Sequence, residues 1–487
     1  MVQHDTRFVV RVQSFIRKNG ELNSVVVEVS LLPGLPQITF LGLPDAALKE
    51  SILRIRSALR TQGFQLPQTS QVIVQLWPTH VRKSSQGLDL AVAAALLWET
   101  GQLPAPDQDQ MPILYGELSL KGEISAPTDI DELPAKEAEG VITGKWSQGL
   151  DFTTRQASDL KGLLEADFVC AQQVMRIFKR PEPRLQRLSK TTARLAMLIA
   201  AGEHSALMAG PPGSGKSTLA EFVPSLMLPP SESEYREVLK LWKAHGRELN
   251  WRPVVQPHHS ITPLAMIGGG SALWSGEIAR AHGGVLILDE LLEFDPRVQE
   301  ALREPVESGT LSLARAGKLR ETPARVLLLA TTNLCPCGKF VPKRDQGRCS
   351  CTRTRRQRVL QKLSGPFLDR FSILVYTDQW LKEPSETSWS EMRSSVERAV
   401  EFRQAKRNQL FSNARVPIED LETSLDPGLR LQMQTLTTQS KRRRMAVLRV
   451  ARTLADLESS ESIRIVDFNE ASQIALESHQ ALEEWRD

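Results

Sequence analysis

Apolar positions along residues 1–178 follow two different periods. The segments 24–32 and 71–77 are rich in β-branched residues, which predicts strands, whereas apolar residues recur with helical spacing at 45–63 and 88–102. A mixed set of strands and helices over this length is typical of a compact domain. We therefore predict an α+β domain over residues 1–178.

Short apolar strands alternate with helical segments between residues 189 and 381. The strand segments are HSALMAG, GGVLILDE, ARVLLLATTN and FSILVYT, and this alternation is typical of a doubly wound, mostly parallel sheet. Two proline-bearing polar segments, 178–188 and 382–390, predict linkers. Residues 391–487 carry amphipathic helices with no strand signal. We therefore predict an α/β chain with domains at 1–178, 189–381 and 391–487.

Composition excludes several classes of protein. The chain has 487 residues, of which 41% are hydrophobic, with 61 basic residues against 57 acidic ones. The stretch MVQHDTRFVVRVQSF lacks the apolar segment of a secretory signal, and no apolar run reaches the length of a membrane span. Five cysteines are too few for a disulfide scaffold. We therefore expect a cytoplasmic protein with reduced thiols and no membrane span.

The segment GPPGSGKST carries the most specific motif of the chain. It fits the pattern G-x-x-x-x-G-K-[ST] and lies between a predicted strand and a predicted helix, which is the context of a P-loop. Its glycines let backbone N–H groups approach phosphate, Lys216 would reach the β and γ phosphates, and the Ser217 hydroxyl would bind Mg²⁺. The predicted ATP-binding residues are Gly210, Gly213, Ser214, Gly215, Lys216, Ser217 and Thr218.

Two further strands end in polar residues suited to ATP hydrolysis. Asp289 and Glu290 follow the strand GGVLIL, and Asn333 follows the strand VLLLATT. We expect Asp289 to hold the Mg²⁺ shell and Glu290 to polarise the attacking water, because metal-assisted phosphoryl transfer needs both functions. Asn333 is expected to orient that water.

These motifs together resemble the AAA+ ATPases, and in particular the magnesium-chelatase-like members of the ComM (YifB) family. The segments that carry the resemblance are 34–67, 256–294, 303–317, 331–338 and 363–371, so it covers nearly the whole chain. The resemblance implies a homo-hexameric helicase that uses ATP and Mg²⁺ to promote branch migration of DNA during natural transformation. A chelatase-type motor that remodels a protein partner is the alternative.

Arginine roles follow from the same resemblance. In the segment LDRF, Arg370 is similar to an arginine finger that reaches the γ phosphate bound by a neighbouring subunit. A cation is needed there against the charge of the transferring phosphoryl group. The stretch KRRRMAVLRVARTLADL is similar to the sensor 2 region, which points to Arg442, with Arg443, Arg444 and Arg449 as alternatives.

The first domain resembles the proteolytic domain of Lon, a Ser-Lys peptidase. The alignment puts Gly87 near the nucleophile position and Asp131 near the lysine position, and neither residue can perform that chemistry. A shifted pair drawn from Ser84, Ser85 and Lys136 stays open. We expect a domain that serves assembly or DNA contact instead of proteolysis.

Basic residues suggest where DNA would bind. The segment LSLARAGKLRE predicts a hairpin with Arg315, Lys318 and Arg320 near its turn, which would either contact a nucleic-acid backbone or form an ordinary solvated tip. The strongest cluster lies at 339–362, with nine basic residues against one acidic residue. His258 and His259 are adjacent, and we expect their side chains to diverge and to serve a structural role.

Four of the five cysteines form the pattern C-x-C-x₁₁-C-x-C. Cys335, Cys337, Cys349 and Cys351 supply four thiolates, the number that a tetrahedral Zn²⁺ site requires, although structural zinc motifs usually have more residues within each pair. Reduced thiols without metal and a redox or disulfide role are the alternatives. Cys170 lies apart and is expected to be a buried apolar residue.

Overall fold

The computed structural model describes most of the chain. The described residues are 10–18, 21–41, 46–78, 87–106, 111–134, 136–146, 150, 152–164, 167–169, 178–243, 250–269, 274–315, 318–342, 349–377, 385–423, 425–426, 428–429 and 440–486. The chain divides into two compact units, residues 1–177 and 178–487. Within the described residues, no helix combines the length and the apolarity needed to cross a bilayer.

The first unit is a mixed α/β domain. Its elements are β1 (Val10–Lys18), β2 (Glu21–Pro33), β3 (Ile38–Phe40), α1 (Ala46–Thr61), β4 (Ser70–Trp77), α2 (Leu88–Glu99), β5 (Glu117–Leu118), β6 (Ile124–Ser125), β7 (Val141–Thr143), β8 (Thr154–Gln156) and β9 (Asp167–Val169). The main sheet has the order β1-β2-β4-β3, with only β3 and β4 parallel. Helix α2 is almost entirely apolar and buried, so it forms the centre of this unit's core.

The second unit has eleven described strands, five of which form a parallel sheet at its centre. Its strands are β10 (Arg187–Ser189), β11 (Ala206–Ala209), β12 (Val254–Val255), β13 (Gly268–Gly269), β14 (Trp274–Ser275), β15 (Gly284–Leu288), β16 (Thr310–Arg315), β17 (Lys318–Pro323), β18 (Val326–Thr332), β19 (Ile373–Tyr376) and β20 (Glu386–Ser388). The central order is β12-β15-β18-β11-β19, with all neighbours parallel. The carboxyl ends of β11, β15 and β18 therefore meet at one edge.

Helices cover both faces of this sheet. They are α3 (Lys190–Gly202), α4 (Lys216–Phe222), α5 (Glu232–Lys243), α6 (Pro263–Ile267), α7 (Glu277–Arg280), α8 (Pro296–Ser308), α9 (Arg353–Leu360), α10 (Gly365–Leu368), α11 (Trp389–Arg407), α12 (Ile418–Thr423), α13 (Lys441–Leu457), α14 (Ile465–Ser472) and α15 (Ser478–Arg486). Successive residues of β15 alternate between two cores: Val285 and Ile287 pack with α3 and α13, and Leu286 and Leu288 pack with α8 and α10. This is the doubly wound arrangement that the apolar strands predict.

The two segments expected to be linkers pair with each other. Strand β10 and strand β20 form an antiparallel two-stranded ribbon in which Leu188 lies opposite Thr387. Leu188 is buried in the core of the second unit. Proline interrupts these segments over only part of their length, so the flanking residues are free to pair. The ribbon joins the start of α3 to the start of α11.

A buried histidine ties α13 to the end of α3. His204 is fully buried, and its Nε2 lies 2.7 Å from Oγ1 of Thr453. Burial, together with the nearby charges of Arg449 and Arg403, lowers the pKa of His204 to about 3. The ring is therefore neutral in the folded protein at any pH above that value.

This histidine predicts acid sensitivity of the fold. The folded-state pKa lies below the unfolded value of about 6.5, so the unfolded chain binds the extra proton and stability falls as pH drops below about 6.5. His204→Gln is expected to reduce the loss of unfolding free energy between pH 7 and pH 5 by about 2 kcal/mol. Urea unfolding at both pH values measures this. His258→Gln, at an exposed position, is the matched control, and an unchanged pH dependence in His204→Gln would contradict the prediction.

Candidate nucleotide-binding site

The predicted P-loop lies between β11 and α4, at the carboxyl edge of the sheet. Gly213 and Gly215 adopt φ values of 73° and 87°, and nothing lies within 4 Å of the place where a Cβ of either would stand. Two glycines with left-handed backbone and open space above them form a cradle that an anion can enter. Gly210 is different, because its Cβ would stand 2.3 Å from Oγ1 of Thr377.

Lys216 lies inside this loop. Its Nζ donates hydrogen bonds to the carbonyl oxygens of Gly210 at 2.9 Å and Pro211 at 2.7 Å, and to Oδ1 of Asn333 at 3.2 Å. Burial lowers the pKa of Lys216, and the carboxylates of Asp289 and Glu290 oppose that shift. The structure thus brings Lys216 and Asn333 into direct contact, as a shared γ-phosphate site requires.

Ser217 and Asp289 form the candidate magnesium site. Ser217 Oγ donates to Oδ1 of Asp289 at 2.7 Å, and Thr331 Oγ1 donates to the same oxygen at 2.5 Å. Hard oxygen ligands of this kind suit Mg²⁺. Thr331 fixes the carboxylate from the neighbouring strand β18. Thr331 was not predicted as a site residue, and its position two residues before Asn333 is the weak signal by which it could have been found.

Glu290 adopts an uncommon backbone conformation. Its φ is 54°, in the left-handed region, and its backbone N–H donates to Oγ1 of Thr331 at 3.1 Å. A non-glycine residue in that region carries strain of about 1–2 kcal/mol, and such strain clusters at functional sites. The side chain is exposed beside half-buried Asp289, which leaves its carboxylate accessible to water.

The side chain of Ser214 is anchored away from the cradle. Its Oγ lies 2.5 Å from Oγ1 of Thr377, directly after β19. Thr377 N–H in turn donates to the carbonyl of Ala209 at 3.0 Å. Thr377 thereby ties the P-loop to the edge strand. Nothing in the sequence motif pointed to Thr377.

Arg370 and Arg442 converge on one carboxylate. Both form ion pairs with Glu307, near the end of α8. Arg370 also donates from Nε to the carbonyl of Arg303 at 3.1 Å, and burial together with the charge of Arg442 lowers its pKa. Its Nη1 is buried without a hydrogen-bond partner in the described part of the chain.

The three alternative arginines of α13 have other contacts. Arg443 is buried and donates to Oδ1 of Asp369 at 2.7 Å and to the carbonyl of Phe371 at 3.1 Å. Arg444 pairs with Glu422, and Arg449 donates to the carbonyl of Val416. These contacts hold α13 in place. Arg442 is the one of the four beside Arg370.

The cysteines lie together next to the P-loop. Their four sulfur atoms lie within 4.8 Å of one another, and three of the separations are 3.4 Å (Cys335–Cys337), 3.5 Å (Cys337–Cys349) and 3.6 Å (Cys349–Cys335). Zn²⁺ bound at about 2.3 Å by four thiolates would separate the sulfurs by about 3.8 Å. Phe340 N–H donates to Sγ of Cys335 at 3.3 Å. The geometry fits a tetrahedral metal site.

The cysteine cluster contacts the P-loop directly. Gly338, directly after Cys337, has a φ of 74°, and a Cβ there would stand 2.4 Å from Cδ of Pro212. Only glycine permits this approach. Cys170 lies outside the described residues.

Two other predictions agree with the structure in part. The basic segment forms the hairpin β16–β17, with Arg315 opposite Lys318 and Leu313 opposite Arg320. The side chains of residues 313–320 are not among those that the structure describes. The histidine prediction is wrong in one respect, since the rings of His258 and His259 lie 4.1 Å apart instead of diverging. The irregular backbone before α6 permits this.

In the first unit, the position that aligns near the nucleophile of a Ser-Lys peptidase has no room for a serine side chain. A Cβ on Gly87 would stand 2.3 Å from the ring of Tyr115, so a serine does not fit there. Asp131 lies in a short 3₁₀ turn at Ile130–Glu132, and Lys136 is exposed. Ser84 and Ser85 lie outside the described residues.

Comparison with known families matches three segments. The model for magnesium chelatase, subunit ChlI, matches residues 186–384; the model for subunit ChlI of Mg-chelatase matches 27–138; and the model for the C-terminal part of that subunit matches 385–474. The first of these covers the P-loop, Asp289, Glu290 and the cysteines.

Two of the similar proteins match nearly the whole chain, and a third matches a smaller part of it. YifB of Salmonella typhimurium is 32% identical over 92% of this chain and 93% of its own length. The competence protein ComM of Haemophilus influenzae is 30% identical over 90% of this chain and 92% of its own length. A probable DNA helicase, MCM9 of Oryza sativa, is 25% identical over 40% of this chain and 24% of its own length.

Proposed function

This chain belongs to the magnesium-chelatase-like ComM (YifB) family, and from that premise we propose that it is an AAA+ ATPase that acts as a motor on DNA. The observation that carries the ATPase is the meeting of Lys216, Asn333, Ser217 and Asp289 at one sheet edge. ATP and Mg²⁺ are the proposed cofactors.

Each residue of the site has a proposed role. Backbone N–H groups between Gly213 and Thr218 hold the phosphates, and Lys216 neutralises the β and γ phosphates. Ser217 and Asp289 would hold Mg²⁺, which would supply positive charge to stabilise the phosphates during transfer. Glu290 takes the proton of the attacking water, which Asn333 orients.

The active assembly is a homo-hexamer in this proposal. Arg370 supplies its guanidinium to the ATP of a neighbouring subunit, and Arg442 acts beside it as sensor 2. Residues 391–487 form the helical lid that carries Arg442.

DNA is the proposed substrate of the motor. The relatives include a protein named for competence and a more distant probable DNA helicase, which supports branch migration of DNA during uptake and recombination in the cytoplasm. Arg315, Lys318 and Arg320 are proposed DNA contacts. The Lon-like domain at 1–178 is proposed to lack peptidase activity, since Gly87 has no room for a serine side chain.

A chelatase-type ATPase that remodels a protein partner is the second candidate. The family models favour it, because all three are named for a magnesium chelatase subunit. ATP turnover with and without single-stranded or branched DNA separates the two functions, with Lys216→Ala as the blank. Stimulation by DNA supports the motor on DNA, and turnover indifferent to DNA would favour the remodelling ATPase.

The cysteine cluster is proposed to hold one structural Zn²⁺. Burial raises the pKa of Cys335 to about 12. For Cys337, burial is outweighed by hydrogen bonds from Lys339 N–H and the neighbouring thiols, which lower its pKa to about 6. A thiolate among close thiols is a ready metal ligand.

Metal analysis tests this site. Purified protein is expected to contain about one zinc per chain and to lose it in Cys335→Ser/Cys349→Ser. Elemental analysis measures the metal, and titration of free thiols under denaturing conditions shows whether the sulfurs are reduced. Metal-free protein with intact nucleotide binding, or a disulfide within the cluster, would contradict the proposal.

A further inference from the structure

Helix α9 carries positive charge that acidic residues in the described part of the chain do not neutralise. Its eight residues, RTRRQRVL, contain four arginines and no acid, and no acidic residue stands in the first turn. A helix N-terminus favours anions and disfavours cations, so arginines there reduce the stability of the helix. Some other benefit must offset that cost.

Three of these arginines are exposed. Two of them, Arg355 and Arg358, have neither an ion pair nor a ring contact within the described residues, whereas the third, Arg353, lies over Trp485 with its Cζ 5.7 Å from the ring centroid. Arg353, Arg355 and Arg358 form no ion pair with any acidic residue that the structure describes, and α15, which packs against α9, offers only Glu483 and Glu484 without reaching them. Arginine elsewhere pairs even where it is highly exposed: Arg297, with its side chain 82% accessible, pairs with Asp295 at 2.7 Å. Exposed arginines without an ion pair to a described acidic residue also occur elsewhere, as at Arg60 and Arg184, but α9 places three of them within six residues.

Two of the unpaired charges share a face. Arg355 and Arg358 are three residues apart, which puts them side by side on the helix surface. Like charges at this spacing repel each other by about 0.2–0.5 kcal/mol. A row of phosphates would relieve that repulsion, because it presents negative charges at regular intervals along a backbone.

The base of α9 is held rigidly. Arg356 donates from Nε to the carbonyl of Cys351 at 3.0 Å, and its guanidinium lies 4.7 Å from the ring centre of Phe340. Phe340 packs edge-on against Trp485, with centroids 4.8 Å apart. The helix begins directly after Cys351, with Thr352 as its N-cap.

This anchorage connects α9 to the nucleotide site. The cysteine cluster that holds the start of α9 also contacts the P-loop, where Gly338 lies against Pro212. A ligand bound to α9 is thus separated from the P-loop by one cluster of side chains. DNA bound to α9 would therefore lie close to the nucleotide site of the proposed motor.

We propose that the exposed face of α9 formed by Arg355 and Arg358 binds the phosphate backbone of DNA. The proposal rests on the proposed motor on DNA and adds a contact surface distinct from the hairpin β16–β17. Arginine suits this role because its guanidinium presents a planar fork to phosphate oxygens. The contact reads no base sequence, as a translocating motor requires.

Binding of labelled oligothymidylate to the full chain tests the proposal. Fluorescence anisotropy over a series of KCl concentrations gives the affinity and its salt dependence. Arg355→Ala/Arg358→Ala is expected to reduce the slope of log affinity against log salt by about 1.4 and to weaken binding roughly twentyfold at about 0.1 M KCl, because each contact to single-stranded DNA contributes about 0.7 to the slope. Arg355→Lys/Arg358→Lys retains the charge and is expected to keep most of the slope.

The matched control removes equal charge elsewhere. Arg184 and Arg398 are exposed residues of the same unit, and Arg184→Ala/Arg398→Ala is expected to bind like the wild type. Thermal unfolding checks that all variants fold. If the wild-type protein binds DNA and Arg355→Ala/Arg358→Ala binds it equally well, this inference alone is overturned. If the wild-type protein does not bind DNA, the proposed function and this inference are both overturned. If the wild-type protein binds polyglutamate but not DNA, and the α9 variant loses that binding, the face binds an acidic protein partner and the proposal is overturned.

Discussion

Glu290→Gln is expected to bind ATP with nearly wild-type affinity and to hydrolyse it at least about a hundredfold more slowly. The amide keeps the size of the side chain but accepts no proton from water. ATP binding is proposed to depend on Lys216, Ser217 and Asp289, and none of the hydrogen bonds described for their side chains involves the Glu290 side chain. Affinity for a fluorescent ATP analogue and single-turnover phosphate release measure the two effects separately.

The matched control for this change lies three residues further along. Glu293 is an exposed acid in the short 3₁₀ turn after Glu290. Glu293→Gln removes the same charge from the same edge of the sheet, so it is expected to hydrolyse ATP at close to the wild-type rate. Equal rates in Glu290→Gln and the wild type would show that another group takes the proton.

Arg370→Ala is expected to lose about a thousandfold or more in ATP turnover while its own P-loop stays intact. The proposed reason is that the guanidinium completes the site of the neighbouring subunit. Lys216→Ala has the opposite defect, since it retains Arg370 but loses its own phosphate contacts. Mixing the two variants should restore part of the activity, because some interfaces then combine an intact P-loop with an intact Arg370.

A structural role for Arg370 has a different signature. Glu307→Gln removes the carboxylate that Arg370 and Arg442 share but keeps both guanidinium groups, so we expect it to lose less turnover than Arg370→Ala. A mixture of Arg370→Ala and Lys216→Ala that stays inactive, although each variant assembles, would contradict action between subunits. Size-exclusion chromatography with light scattering verifies the assembly.

The nucleotide site is the part of the molecule that local sequence predicts best. The P-loop motif predicts glycine at positions 213 and 215, where the backbone has a positive φ. The parallel strands bring Asp289 and Asn333 to the same edge of the sheet as Lys216. Each of these residues stands directly at a strand end or in a glycine-rich turn. The chemistry is therefore encoded over a few consecutive residues, and the doubly wound sheet assembles it.

Contacts between distant segments could not be predicted in this way. Thr377 supports the P-loop from β19, Glu307 joins Arg370 to Arg442, and Gly338 lies against Pro212. Each depends on which surfaces meet in three dimensions. The ribbon β10–β20 is similar, because pairing between two segments about 200 residues apart leaves no periodic signal in either.

Branch migration on a labelled three-strand DNA substrate tests the central claim most directly. Wild-type protein with ATP and Mg²⁺ is expected to release the labelled strand, and Glu290→Gln is expected to leave the branched substrate unchanged under the same conditions. If the wild-type protein hydrolyses ATP yet leaves the branch where it was, the motor on DNA is wrong and remodelling of a protein partner becomes the better explanation.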